Sequence, residues 1–259
     1  GSDAVSKTIR VGAADAPPVN GAGSHVTVVP ASAHVEGLQS TRWVTDLVLH
    51  TPGTSDVTAN VYLLEGASGN SGAVGRQYVV PAGESLRLAD VVLSQLGASS
   101  ASGALLIGTN APLMVSSRTY NAAGEAGTYG QYIAGYPSGT ALGRGEEGRL
   151  LQLTHVPGEE GFRTNIGVAS LSGSTTTVAV SLFRGDGAAI GSFDVTVGPF
   201  GHRQVDQVLA GRVDGAVLNG YATVVSTSTD AEYLAYASVT DNGSGDPIYV
   251  PAEVATTSR

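Results

Sequence analysis

The sequence contains no cysteine, and this absence removes several functions at once. Disulfide bonds, a thiolate nucleophile and cysteine-ligated metal sites are all excluded. The absence does not identify a compartment, because many exported bacterial proteins also lack cysteine. The 259 residues are numerous enough to bury hydrophobic cores without disulfide bonds.

Lysine is nearly absent as well. Lys7 is the only lysine among 13 basic residues; the others are arginines scattered along a chain of net charge −9. No basic stripe is available to neutralise phosphates, so nucleic acid is not expected as a partner.

Long apolar runs are also missing. None approaches the ~20 residues that a helix needs to cross a bilayer, so we expect no membrane insertion. No signal peptide is visible. The opening Gly1-Ser2 is typical of a cloning remnant, so this last absence says nothing about export.

What the sequence does contain is the same module twice. Residues 43–49 reappear as 162–168, a shift of 119 residues, and residues 61–64 fall on 180–183 at the same shift. Shifts of 121 and then 117 align Ser117, Thr119, Asn121 and Tyr132 with Ser238, Thr240, Asn242 and Tyr249. A repeat of this length is a whole domain, because solenoid repeats span only about 20–50 residues.

The repeat and the glycine-rich stretches divide the chain into five parts. We expect an N-terminal tail (1–27), a first module (28–137), a linker (138–148), a second module (149–252) and a C-terminal tail (253–259). The linker assignment rests on a glycine-rich, charged composition.

Both copies show the alternation of half-buried strands. Every second residue of 43–49 and of 162–168 keeps its apolar or threonine character, whereas the residues between them change freely. A sheet with one buried face requires this pattern. Charged residues make up only 14%, and short strands alternate with turns without an amphipathic helix. The sequence therefore predicts an all-β fold of two tandem, duplicated antiparallel β-sandwich domains, Ig-like or jelly-roll-like, with a barrel as the alternative.

Two turn signals recur at matching places. Pro81-Ala82-Gly83 and Pro199-Phe200-Gly201 have the pattern of type I turns. After each turn an aspartate, Asp90 or Asp206, is expected to cap a single helical turn that a glycine closes.

No catalytic constellation stands out. His34 and His155 are equivalent in the repeat, but zinc catalysis needs about three converging ligands and neither has a second histidine nearby. The glycine-serine segments lack a nucleophile elbow. The carboxylates that glycosidic cleavage would need show no distinctive spacing: Glu159, Glu160, Asp194, Asp206 and Asp241. We therefore expect no enzymatic activity.

The densest group of oxygen ligands is Asp241-Asn242-Gly243-Ser244-Gly245-Asp246. Calcium takes about 6–8 oxygens, so Asp241, Asn242 and Asp246 are candidate calcium ligands. The spacing is not that of an EF-hand, and a polar hairpin turn explains the same residues. No other cofactor is indicated.

Two further segments are candidates for partner binding. Arg184-Gly185-Asp186, an integrin-recognition tripeptide, falls at an expected hairpin tip, although Asp186-Gly187 is also an ordinary turn signal. A cluster of tyrosines near the end of the first copy is the best candidate binding surface if it is exposed: Tyr120, Tyr129, Tyr132 and Tyr136. Trp43 and Phe162 fall on the apolar face and are expected in the cores.

Two stretches of the second copy resemble a module of secreted bacterial proteins: 161–168 with 171–174, and 234–242 with Gly245-Asp246-Pro247. Such modules recur in tandem, often near the C-terminus of large exported proteins, including proteases. The resemblance covers most of residues 28–252 and implies a secreted or cell-surface location. It carries no established catalytic residues.

These observations favour a non-catalytic pair of modules from an exported bacterial protein. Its role would be binding, adhesion or spacing, with a protein or glycan surface as partner. Two rival hypotheses stay open. One is a carbohydrate-binding module with a calcium-supported loop, and the other is a hydrolase whose cleft, near residues 138–149, holds carboxylates or His155.

Overall fold

The computed structural model describes residues 7–10, 25–123 and 127–254, and their regular structure is almost entirely β-strand. Helical structure in these residues is limited to the short segments Leu38–Ser40, Val91–Gln95 and Ser138–Thr140. In the same ranges, no helix has the length and hydropathy to cross a membrane. The predicted all-β fold is confirmed.

Each half of the chain contributes ten of the described strands. The strands of the first half are β1 (Lys7–Arg10), β2 (His25–Glu36), β3 (Arg42–His50), β4 (Val57–Glu65), β5 (Val74–Val80), β6 (Ser85–Leu88), β7 (Ala101–Thr109), β8 (Met114–Asn121), β9 (Tyr129–Ala134) and β10 (Tyr136–Pro137). Those of the second half are β11 (Leu142–Gly143), β12 (Glu147–His155), β13 (Phe162–Ser170), β14 (Thr176–Phe183), β15 (Ala189–Val197), β16 (His202–Val205), β17 (Val217–Ser226), β18 (Glu232–Asp241), β19 (Pro247–Pro251) and β20 (Glu253–Val254).

Both halves form antiparallel sandwiches with the same strand order. The front sheet of the first module is β5-β4-β7-β2 and its back sheet is β6-β3-β8-β9, with the long strand β2 pairing into both. The second module has the front sheet β15-β14-β17-β12 and the back sheet β16-β13-β18-β19. The short strands β10 and β20 pair at equivalent places, with β2 and β12.

The strand registers correct one of the sequence alignments. Asp46 pairs with Arg118, and the equivalent Asn165 pairs with Ser238. Strand β8 therefore matches β18 at a shift of 120 rather than 121. Although the letters are similar, Ser117 faces the interior of its sandwich whereas Ser238 points out of its own, because a one-residue slip exchanges the two faces of a strand. The match of Tyr132 with Tyr249 is retained, since these residues pair with Arg118 and Ser238.

The two proline turns are not of the predicted type. Gly83 (φ 71°) and Phe200 (φ 52°) are the third residues of turns closed by hydrogen bonds from Glu84 N–H to Pro81 and from Gly201 N–H to Gly198. A type I turn has negative φ at this place, whereas a type II turn has positive φ, so the type I prediction is wrong.

The predicted aspartate caps are also wrong. Asp90 has left-handed φ (44°) and makes no side-chain cap, and its counterpart in the second module is the left-handed Gln207 (φ 50°) rather than Asp206. The backbone N–H groups of Asp90 and Gln207 instead donate to Oδ1 of Asp46 and Asn165, each over 2.9 Å. The turns are held by side chains of the neighbouring strand.

Each sandwich encloses its own hydrophobic core. The first core includes Leu47, Leu49, Val61, Leu105, Ile107 and Ile133. The second includes Leu150, Ile166, Val168, Val180, Leu182 and Val224. The inward positions of β3 and β13 therefore follow the predicted alternation.

A third apolar cluster joins the two modules. The outer side of the first front sheet contributes Val28, Tyr62, Leu64 and Leu106, and the second module contributes Ala169, Leu171, Phe200 and Leu234. All eight side chains are buried. The four sheets therefore stack in the order back, front, back, front, and the first front sheet is covered on both sides.

The segment expected to be a linker is an ordered part of this stack. Leu142 is buried in the second core, and β11 pairs with β18. Its glycines serve the local turns; Gly145, for example, has φ 77°. Composition alone cannot distinguish such a turn-rich segment from a flexible linker.

The stacking predicts that Leu106→Ala will destabilise the protein about as much as Leu105→Ala. Leu105 faces the first core and Leu106 faces the inter-module cluster, and both are fully buried. Each truncation should lower the free energy of unfolding by about 2–5 kcal/mol. Urea titration of the two variants provides the measurement. A near-neutral Leu106→Ala would show that this sheet face is open to solvent.

Candidate functional site

The two modules are clasped by backbone hydrogen bonds beside the apolar cluster. Asn70 N–H donates to Pro199 C=O (2.8 Å), Gly198 N–H donates to Ala67 C=O (2.7 Å), and Asn70 Nδ2 donates to Phe200 C=O (2.8 Å). A Cβ on Gly198 would lie 2.7 Å from the carbonyl oxygen of Ser68. Glycine at position 198 therefore permits the close approach of the two backbone segments.

An aromatic stack lies on the covered back sheet of the second module. Tyr236 stacks on His202 (6.1 Å between ring centroids) and on Tyr249 (5.5 Å). The Tyr236 ring crosses Gly167, where a Cβ would lie 2.1 Å from ring carbon Cζ. Nε2 of His202 lies 3.0 Å from Oη of Tyr236, which donates to Oε1 of Gln204 over 3.1 Å. These rings occupy the same interface as the third apolar cluster.

Because His202 is buried, we expect the protein to lose stability in mild acid. Burial lowers its pKa from 6.5 to about 4, so the unfolded chain binds more protons than the folded protein between these pH values. The free energy of unfolding should fall, by on the order of 3 kcal/mol from this residue, as the pH drops through that window. Urea denaturation at a series of pH values should show a flatter profile for His202→Gln than for wild type. An unchanged profile would assign the acid sensitivity to other groups.

The matching face of the first module is open. On the outer side of its back sheet, Tyr132 (65% exposed) pairs with Arg118, whose guanidinium lies 4.7 Å from the centre of the Tyr120 ring. Met114 (62% exposed) lies on the same side, at the start of β8. Gly130 lies beside Tyr120, and a Cβ at this glycine would lie 2.4 Å from Cβ of Tyr120. We call this surface, defined by Met114, Arg118, Tyr120 and Tyr132, the open face.

Charged residues adjoin the open face. Nη2 of Arg87 donates to Oδ2 of Asp46 over 2.6 Å, and Nδ1 of His34 lies 2.9 Å from Oδ1 of Asp90. Burial, followed by the charge of Asp46, raises the pKa of Tyr120. The open face thus combines aromatic rings with charges of both signs.

The predicted tyrosine cluster is divided between three surfaces. Tyr120 and Tyr132 share the open face. Tyr129 is exposed, but it pairs with Asn121, one register position from the Tyr120 pair, and so points to the opposite side. Tyr136 is half-buried beside Tyr249 at the inter-module contact, and burial raises its pKa. The four residues therefore do not form one surface.

Arg184-Gly185-Asp186 lies at the predicted hairpin tip, between β14 and β15. Gly185 and Asp186 are exposed, and Gly187 has φ 88°. Oδ1 of Asp186 accepts a hydrogen bond from Ala188 N–H (3.0 Å), and Arg184 N–H and C=O pair across the turn. These contacts stabilise the turn. A role of the tripeptide in recognition stays a prediction.

The predicted calcium loop is built as a hydrogen-bonded hairpin turn. Oδ1 of Asp241 accepts from the N–H groups of Gly243 and Ser244, over 2.8 and 3.0 Å. Oδ1 of Asn242 accepts from Nη1 of Arg163 over 2.6 Å, so a cation already occupies that oxygen. The described geometry gives Asp241 and Asn242 structural roles. Within the described ranges, no three acidic or histidine side chains converge to hold a metal.

The predicted hydrolase cleft is not formed by the residues proposed for it. The cavity beside residues 138–149 has a volume of about 300 Å³ and is lined by apolar residues together with Tyr136, Thr140 and Tyr249. Its described lining contains no carboxylate. His155 lies elsewhere, in a cavity of about 320 Å³ with Glu159.

Trp43 and Phe162 are not core anchors, contrary to expectation. Both are half-buried, and neither belongs to the core of its module. Trp43 lies against Gly37 and lines a cavity of about 460 Å³ between the modules. That cavity also contains Arg163, which the sequence did not single out. An arginine within an apolar strand pattern was the available signal.

No protein-family model and no curated protein sequence matches the chain. Among solved structures, Thermotoga maritima 1070 is 18% identical, with 46% of this chain and 96% of that chain covered and a TM-score of 0.35. A Pleurotus ostreatus lectin in complex with GalNAc is 9% identical (92% and 80% covered, TM-score 0.22). The C-terminal domain of the Streptococcus pyogenes antigen I/II-family protein AspA is 9% identical (88% and 98% covered, TM-score 0.18). Similarities this weak carry no functional inference.

Proposed function

We propose that this pair of modules is a non-catalytic binding unit of an exported bacterial protein, and that its partner contacts the open face. One observation carries the proposal. The equivalent face of the second module is buried in an interface, whereas the first module leaves its own face exposed with aromatic and arginine side chains on it.

The repeat supports the assignment because it provides an internal comparison. Met114 is 62% exposed, and its counterpart Leu234 is 8% exposed against the first module. Arg118 is exposed, and its counterpart Ser238 is buried. A large apolar or aromatic side chain in open solvent removes little apolar surface from water on folding, so the exposed residues of the first module are available for binding.

The composition of the open face favours a protein partner. Tyrosine, methionine and arginine are enriched in protein–protein interfaces, and tyrosine and arginine are common hot-spot residues. The Asp46–Arg87 pair adds charges of both signs at the rim, which favours a partner of mixed charge over a polyanion. A location outside the cell belongs to the same proposal and rests on the resemblance to secreted modules.

The test compares Tyr132→Ala with Tyr129→Ala. Both tyrosines are exposed on β9, but they point to opposite sides of the sheet. A phage-displayed peptide library and a glycan array are each probed with wild type and both variants. We expect peptides that bind wild type and Tyr129→Ala but bind Tyr132→Ala at least about tenfold more weakly. Equal binding by all three proteins would remove the open face from the proposal.

The same experiment separates the alternatives. A carbohydrate-binding module with a calcium-supported loop predicts array signals that EDTA abolishes and that Asp246→Ala weakens. A spacer predicts no binding on either array. A hydrolase predicts turnover of a bound substrate, which product analysis of the bound glycans would show.

A further inference from the structure

The inter-module cavity is a second candidate binding site, separate from the open face. Its walls come from β2 and the following turn of the first module and from the back sheet of the second module. The exposed residues Glu36 and Asp206 mark its open side, and the buried Arg163 and Tyr236 lie deeper. A volume of about 460 Å³ is within the usual range of small-molecule sites.

Arg163 brings a positive charge to the wall between this cavity and the adjoining one of about 320 Å³. The residue is 7% exposed, and Asn242 is the side chain that accepts its hydrogen bond. Within the described residues, none of the ion pairs includes Arg163. Burial lowers the pKa of Arg163, and the more distant charge of Asp206 offsets only part of this effect. Buried charges are normally paired, so the guanidinium calls for an anionic group in the cavity.

The remaining polar groups suit a ligand with several hydroxyls. Amide side chains of Asn165, Gln204 and Gln131 line the cavity. Oδ1 of Asn165 accepts from Gln207 N–H, and the Gln204 amide bonds to Asp206 and Tyr236, so Nδ2 of Asn165 and the amide of Gln131 are the groups that can serve a ligand. Between the modules, Oγ of Ser238 and Oε1 of Gln131 are separated by 3.5 Å, which is too long for a strong bond. Both atoms are therefore available to a ligand.

The two carboxylates at the open side limit the charge of the ligand. Glu36 and Asp206 repel a dianion such as phosphate more strongly than a single carboxylate, and they accept hydrogen bonds from hydroxyl groups. A ligand with one carboxylate and several hydroxyls meets both conditions. Trp43 contributes an aromatic side chain to the lining, and aromatic faces pack against sugar rings.

We propose that the inter-module cavity binds an acidic monosaccharide unit, with its carboxylate on Arg163 and its hydroxyls on the amides of Asn165 and Gln131. A free uronate and the terminal unit of an acidic polysaccharide offer the same chemistry. Binding at this site bridges the two modules, because Arg163 and Asn165 belong to the second module and Gln131 to the first.

Trp43 makes this proposal directly measurable. It is the only tryptophan of the chain, so tryptophan fluorescence reports on the cavity. The protein is titrated with D-glucuronate and D-galacturonate, and with D-glucose and D-galactose as uncharged counterparts. We expect a saturable fluorescence change with one of the uronates and at least tenfold weaker binding of its neutral counterpart. An oligogalacturonide arm distinguishes a polysaccharide end from a free sugar.

Variants identify the residues responsible. Arg163→Gln should weaken uronate binding at least tenfold, whereas Arg149→Gln, on the exposed front sheet of the second module, should bind as wild type does. Ser102→Tyr, a substitution in the first module, should fill the cavity and weaken uronate binding without altering Arg163. A melting temperature near that of wild type would show that this variant is folded. The proposal is overturned if no uronate gives a saturable change at millimolar concentration. It is also overturned if neutral sugars bind equally well, or if Arg163→Gln binds as wild type does.

Discussion

The structure depends on the burial of the first front sheet between two other sheets. One side of this sheet faces the first core through Leu105, and the other faces the second module through Leu106. A sheet covered on both sides must be apolar on both faces, and its strands cannot show the simple alternation of a half-exposed sheet. This burial sets the orientation of the two modules, places the aromatic stack of His202 and Tyr236 in the interface, and encloses the cavity around Arg163.

The same constraint explains why the two copies differ. Val28, Tyr62 and Leu106 of the first module are buried, and their counterparts by strand pairing are the half-buried or exposed Arg149, Ser181 and Thr223. Residues that pack in the two cores are similar in both copies. Residues of the interface differ, because each copy presents a different face to it. The remaining exposed differences, such as Arg118 and Tyr132, are not explained by folding.

Much of the fold can be predicted from the sequence because alternation reports one buried face directly. The strands around Leu47 and Ile166, and the hairpin tip at Asp186, lie where the pattern places them. Alternation does not reveal what covers the other face. It places Trp43 in a core, and similar letters align Ser117 with Ser238 although the two residues point to opposite sides. Composition likewise does not reveal that the segment containing Leu142 pairs with β18. The role of Arg163 could not be predicted either, since its surroundings come from residues distant in sequence.

The inter-module contact joins unlike surfaces, the front sheet of one module and the back sheet of the next. Such a heterologous contact, if it were repeated, would produce either a closed ring or an open filament. A further contact of this kind would use the front sheet of the second module, where Arg149, Ser181 and Thr223 replace the apolar side chains that it would need. These polar side chains disfavour such a contact, as the polar outer faces of capping repeats do in solenoid proteins.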